Sequence, residues 1–170
     1  MFRFHAGAGA NDIEFLEVKK AMQVKDVMTA DPACCISETT LQEVAQMMID
    51  HDCGEIPVVE NKKTNLPIGV ITDRDIVCRT VARGLNPLDL AVGDCMSTPC
   101  VAVTPDMSVE ECSAIMEESK IRRVPVVDSD GSVCGIVALA DIALNARRSV
   151  AAEVVKEVSE PTASAAATGG

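Results

Sequence analysis

The sequence predicts an α/β fold of the α+β type, two β-α-β-β-α units packed about a pseudo-two-fold axis with sheets inside and helices outside. Three observations predict it. An ordered duplication recurs at a spacing of 66–68 residues. Each copy holds one stretch with helical apolar spacing and two short β-branched runs. The 170 residues include no Trp and no Tyr, and all three Phe precede residue 16, so the core must be aliphatic.

The duplication is explicit. Val24-Lys25-Asp26-Val27-Met28-Thr29 returns as Val92-Gly93-Asp94-Cys95-Met96-Ser97, offset by 68. Ile56-Pro57-Val58-Val59 returns as Val124-Pro125-Val126-Val127 at the same offset, and Gly69-Val70-Ile71-Thr72-Asp73-Arg74-Asp75 returns as Gly135-Ile136-Val137-Ala138-Leu139-Ala140-Asp141 at 66. Repeats that keep their order over this length are two copies of one supersecondary unit.

Within each copy the elements follow in order. A short strand is expected at Ala33–Ile36 and again at Val101–Val103. A helix follows, since Leu41, Val44, Ala45 and Met48 keep the i, i+3, i+4, i+7 spacing and Val109, Cys112, Ser113 and Met116 repeat it. Thr40 with Glu43, and Ser108 with Glu111, are capping boxes at the two helix starts. Two strands come next, Ile56–Val59 and Ile68–Thr72, then Val124–Val127 and Val133–Ala138. A second helix starts near Asp73 or Leu139.

The repeats therefore span residues 22–87 and 88–150, joined through Gly84-Leu85-Asn86-Pro87, which opposes helix continuation. Residues 1–21 form an N-terminal extension, and 151–170 read as a helix end and a disordered tail. One unit alone would be marginal, and two packed together, sheet against sheet with helices outside, could share one core.

Composition excludes several functions. With 15 Lys+Arg against 26 Asp+Glu, the formal net charge of −11 disfavours a nucleic-acid partner. Aromatic stacking platforms are absent. No apolar run approaches the roughly 20 residues that cross a bilayer, so no membrane partner is expected. The first residues lack a signal-peptide pattern, and a cytoplasmic setting is expected. Eight cysteines lie mostly in apolar runs with no CxxC spacing, and they read as reduced, buried small hydrophobes without a metal.

From about Ala21 to Leu144 the chain resembles a tandem pair of CBS (cystathionine β-synthase) domains, a Bateman module of the stand-alone bacterial type. The resemblance rests on Gly69-Val70-Ile71-Thr72-Asp73-Arg74-Asp75, which fits the family's Gly-hydrophobic-x-Thr/Ser-x-x-Asp mark, and on the Pro-Val-Val strands and Asp-Val-Met-Thr opening. It implies an adenosine-containing ligand (AMP, ADP, ATP or S-adenosylmethionine) held between the repeats, and a regulatory role on a separate protein.

On that reading Gly69 and Gly135 would admit a ribose, Asp75 and Asp141 would accept from its hydroxyls, and Thr72 would add a hydroxyl near a helix N-terminus. Ile36 or Ile56 would flank the adenine. Thr72 with Asp75 also reads as a capping box. The second copy has Ala138 in place of the hydroxyl, but it carries Arg122-Arg123 where phosphates are met in the family. The first copy has Gly54-Glu55 there, and Glu55 would repel a phosphate. Arg122-Arg123 also reads as a solvated strand edge. The two sites thus have complementary defects, and at most one ligand per chain is expected to bind usefully.

No catalytic constellation appears. His5 and His51 stand apart from any triad-like motif, and no enzyme activity is expected. A homodimer is expected, because Met47, Met48, Ile49, Cys112, Ala114, Ile115 and Met116 supply more apolar side chains than one helix face needs. The alternative to a sensor is a ligand-independent structural or stress-associated dimer with degenerate sites.

Overall fold

The computed structural model describes residues 21–145 and 147–148. The expected N-terminal extension (apart from Ala21), its three Phe, and the expected tail lie outside the described residues.

Both main helices begin where the capping boxes place them. Helix α1 (Leu41–Asp50) has the Thr40 hydroxyl accepting from the Glu43 amide at 3.2 Å, while Glu43 accepts from the Thr40 amide at 2.9 Å. In α4 (Val109–Ser119), Ser108 and Glu111 repeat the exchange at 3.2 Å in both directions. The Thr40 amide and hydroxyl hold the Glu43 carboxyl below its ordinary range, and Ser108 does the same for Glu111. α1 buries Leu41, Val44 and Met48, and α4 buries Val109, Cys112 and Met116, the helical spacing read from the sequence. Lys120, at φ 55°, ends α4 in the left-handed region.

The strands form two antiparallel hairpins. β2 (Glu55–Val59) pairs with β3 (Pro67–Thr72), and β4 (Arg123–Val127) pairs with β5 (Val133–Ala138). Helix α2 (Asp73–Arg79) follows β3 directly, and a helix over 139–145, α5, follows β5.

The strands expected at Ala33–Ile36 and Val101–Val103 shrink to single parallel bridges, Cys35 with Val58 and Val103 with Val126. The reason lies in the partner strand. Cys35 donates to the Pro57 carbonyl and accepts from the Val59 amide, but extending the ladder backwards would need an N–H from Pro57. Pro125 blocks the second copy in the same way.

The copies exchange their openings. Strand β1 (Thr29–Ala30), from the first copy, pairs antiparallel with β5 of the second, and Ser97 of the second bridges Val70 of the first. Val24 donates to the Met107 carbonyl at 2.9 Å, and Val92, which opens helix α3 (Val92–Cys95), donates to the Thr39 carbonyl at 2.8 Å. Consequently one core joins Val24 and Val27 to Val103, Val109, Met116, Val124, Val126 and Val137. The other joins Val92 and Cys95 to Cys35, Leu41, Val44, Ile56, Val58 and Ile71. Each core is aliphatic and thiol-lined, and each is completed by the other copy's first residues. Neither copy keeps a full core without the other.

This exchange gives two glycines of the duplicated motif a structural role. A Cβ on Gly69 would lie 2.6 Å from the Ser97 carbonyl oxygen, and one on Gly135 would lie 2.5 Å from Met28 Sδ. Both glycines admit the crossing segment of the other copy. The position a Cβ would take at each glycine is occupied by the chain itself.

Candidate ligand site between the repeats

The two aspartates of the duplicated motif sit at the two strand-to-helix junctions, in different states. At the first, Thr72 is the N-cap of α2: its hydroxyl accepts from the Asp75 amide at 3.0 Å and donates to Asp75 Oδ2 at 2.7 Å, and its amide donates to the same oxygen at 3.1 Å. Asp75 Oδ1 accepts from the Ser97 hydroxyl at 3.3 Å and pairs with Arg79 Nη2 at 3.2 Å. Arg79 also donates to the Cys95 and Met96 carbonyls at 2.7 and 2.6 Å and to Ser97 Oγ at 2.8 Å. Both carboxylate oxygens of Asp75 are engaged within the chain, and the expected diol acceptor is already satisfied.

At the second junction the pattern is stripped. Ala138 stands for Thr72, Thr29 for Ser97 and Asn145 for Arg79. Asp141 Oδ2 accepts only the Ala138 amide, at 3.2 Å, among the described residues. Asn145 turns back to donate to its own helix, at the Asp141 carbonyl, 2.9 Å.

Asp141 lines a cavity of about 500 Å³. Its walls come from both copies: Thr29–Ala33, His51–Cys53, Glu55 and Ile56 from the first, Arg123, Ile136, Ala138, Ala140 and Asp141 from the second. The volume suits a small organic ligand. Ile56 is on the wall, with Ala33 and Ile136, whereas Ile36 is not. The Ile36 amide donates to the Thr39 hydroxyl in the turn leading to α1, which carries the residue past the cavity. Of the Arg pair, Arg123 lines the cavity and Arg122 does not, because neighbours in an extended chain face opposite ways. Arg122 is exposed, and its carbonyl accepts from the Leu139 amide.

Glu55 and Arg123 occupy equivalent places at the start of β2 and β4, opposite Thr72 and Ala138 respectively. Arg123 reaches across to the first copy, where a Cβ on Gly54 would lie 3.6 Å from its Nη1. Glu55 is 7% exposed, and its Oε1 is buried without a hydrogen-bond partner. Burial pushes its carboxyl up to about 7; Arg123 opposes the rise and Asp75 adds to it.

Sequence reasoning missed Arg79, although its place four residues after Asp75 on one helix face signals an ion pair. It also missed Asp31 and Asp52, which enter the cavity through left-handed turns at φ 49° and 48°. Nothing local marks Glu55 as buried.

The thiols are free, with Cys35, Cys95 and Cys112 buried and Cys78 exposed. Burial raises Cys34 and Cys100 to about 11 and Cys35 to about 12, which keeps them protonated and unreactive.

The CBS domain family matches residues 24–79 and 92–147. The chain belongs to the CBS-domain family. This CBS pair is 44% identical over 122 residues to the CBS domain-containing protein YhcV of Bacillus subtilis, covering 72% of this chain and 84% of that protein. It is similar to the solved structure of Hypoxic Response Protein I with two coordinated zinc ions, at 35% identity and a TM-score of 0.64 over 72% of this chain and 97% of that one. It is also similar to the CBS domain pair of protein MJ0100 in complex with 5′-methylthioadenosine and S-adenosyl-L-methionine, at 25% identity and a TM-score of 0.68 over 76% and 99% of the two chains. Among the described residues of this CBS pair, no group of three or more His, Cys, Asp or Glu is placed to hold a metal, and no helix is long and apolar enough to cross a membrane.

Proposed function

We propose that this CBS pair is a non-catalytic regulatory module that binds one adenosine-containing ligand per chain, of the AMP, ADP, ATP or S-adenosylmethionine class, and acts on a separate protein. The observation that carries the reading is the Asp141 carboxylate, with an oxygen unused among the described residues, on the wall of a cavity built by both repeats. A ribose diol would donate to it, and Ile56 and Ile136 would flank the base. Gly135 and Gly69 serve the crossing, and Thr72 with Asp75 serve the α2 cap, so they support the site from behind. Because both copies supply walls, a ligand would bias their relative packing, and a partner would read that change. The free thiols fit a reducing cytoplasmic setting. Calorimetry with AMP, ATP, S-adenosylmethionine and 5′-methylthioadenosine tests the proposal. One site per chain is expected; two equivalent tight sites, or none at millimolar ligand, would overturn it.

A second reading, a dimeric interaction module, is favoured by apolar surface along α1 and α2. Ile49 is 72% exposed and Val77 55%, and they line an open groove with Ala45 and Ile76. The surplus read from the sequence is smaller than expected, since Met48, Cys112 and Met116 are buried in the chain's own cores. Homodimerisation through the α1–α2 face is part of the proposal under either reading. Light scattering across a hundredfold dilution checks it, and a monomer at every concentration would remove it.

A further inference from the structure

Glu55 is a second acid on the cavity wall with an oxygen left unpaired among the described residues. It is more than nine-tenths buried, it lies on the cavity wall, and its Oε1 meets neither a donor nor solvent. Buried acceptors are almost always paired, so an unpaired one on a residue of the cavity wall marks where a donor from outside belongs.

Acidic side chains outnumber basic ones around it. Asp31, Asp52 and Asp141 share the cavity with Glu55, against the single guanidinium of Arg123 and the imidazole of His51. Arg123 is already the positive neighbour of Glu55 and is shared with it. A phosphate placed here would gain part of one Arg and share the cavity with several acidic side chains. An N–H donor, an ammonium or a sulfonium would gain from all of them.

We infer that the cavity selects adenosine derivatives that lack a phosphate chain and are neutral or cationic beyond the ribose, and that Glu55 is the residue that sets this choice. The inference rests on the adenosine-site reading above and narrows it. It follows from a sequence difference between the copies: where the second copy starts its strand with Arg123, the first starts with an acid. Where Glu55 is ionised, above about pH 7, whichever part of the ligand reaches it must donate or carry positive charge, and a phosphate does neither.

The test is isothermal calorimetry on the full chain and on Glu55→Gln, with 5′-methylthioadenosine, S-adenosylmethionine, AMP and ATP at one pH and salt. In the unsubstituted chain the first two bind at least tenfold more tightly than ATP. In Glu55→Gln, S-adenosylmethionine weakens and ATP strengthens, narrowing their ratio at least fivefold. ATP binding as well as 5′-methylthioadenosine, or a ratio that Glu55→Gln leaves unchanged, overturns the inference while the adenosine site stands. No binding of any of the four overturns the adenosine site itself. Should Glu55→Gln fail to fold, as judged by circular dichroism, Asp31→Asn takes its place. Asp31 is exposed and lies in a left-handed turn that Asn adopts readily. Removing its charge should raise ATP affinity about threefold, and no change would count against the charge argument.

Discussion

The two strand-to-helix junctions carry the same aspartate and put it to different uses. Asp75 is held by Thr72, Ser97 and Arg79, and its carboxylate is complete. Asp141 has Ala138, Thr29 and Asn145 in the equivalent places and keeps one amide contact. The junction with the fuller sequence motif is thus the one consumed by its own fold, and the depleted one faces the cavity. A motif hydroxyl at a helix start is a capping group first, and it is free for a ligand only if nothing nearby claims the carboxylate it orients. Arg79 makes that claim.

The largest expected effect comes from the acid at the start of β2. The carboxyl of Glu55 rises from an ordinary 4.5 to about 7 on folding, so between those values the folded chain holds a proton that the unfolded chain has lost. Stability from this group is therefore highest below about pH 4.5 and falls as pH rises through 7. Glu55→Gln should match the parent near pH 4.5 and exceed it by up to about 3 kcal/mol at pH 8. Urea unfolding at the two pH values measures this; a gap that does not widen with pH would place the carboxylate in solvent.

Next come the aspartates themselves. Asp75→Asn removes charge-assisted bonds and strands a part-buried Arg79, at a cost of about 2 kcal/mol by chemical denaturation, whereas Asp141→Asn should cost under about 1 kcal/mol. Equal losses would erase the difference between the junctions. Binding should reverse that order: Asp141→Asn weakens an adenosine ligand about tenfold, or roughly 1.4 kcal/mol, and Asp75→Asn changes it less than twofold. Calorimetry decides, and a loss confined to Asp75→Asn would move the site. The smallest effect is the missing cap. Ala138→Thr should stabilise the chain by about 1 kcal/mol, read as a rise in Tm, by giving the helix after β5 the N-cap that α2 has.

How far the sequence was legible follows the range of the interactions. The capping boxes at Thr40 and Ser108 were readable because cap and acid lie three residues apart. The hairpins were readable from their β-branched runs. The strand at Ala33–Ile36 was over-read because Pro57, which denies it a ladder, is more than twenty residues away. Met48 and Met116 were readable as the inner face of their helices, and what the sequence did not show is that the cores they enter are completed by Val92 and Val24 from the other copy. The Asp75–Arg79 pair was readable in principle, being i, i+4 on one helix, but its grip on Cys95 and Met96 was not.

By itself the sequence determined that this protein is a doubled CBS unit with aliphatic cores, where each helix starts, and that an acid follows each Gly-opened strand. These features depend on backbone hydrogen bonds and side-chain periodicity within a few residues. The tertiary structure alone decided that the copies exchange their openings, that Asp141 and not Asp75 lines the cavity, and that one oxygen of Glu55 is buried without a hydrogen-bond partner among the described residues. Those outcomes depend on groups brought together from distant parts of the chain, and no local pattern encodes which of two similar carboxylates its distant neighbours will close.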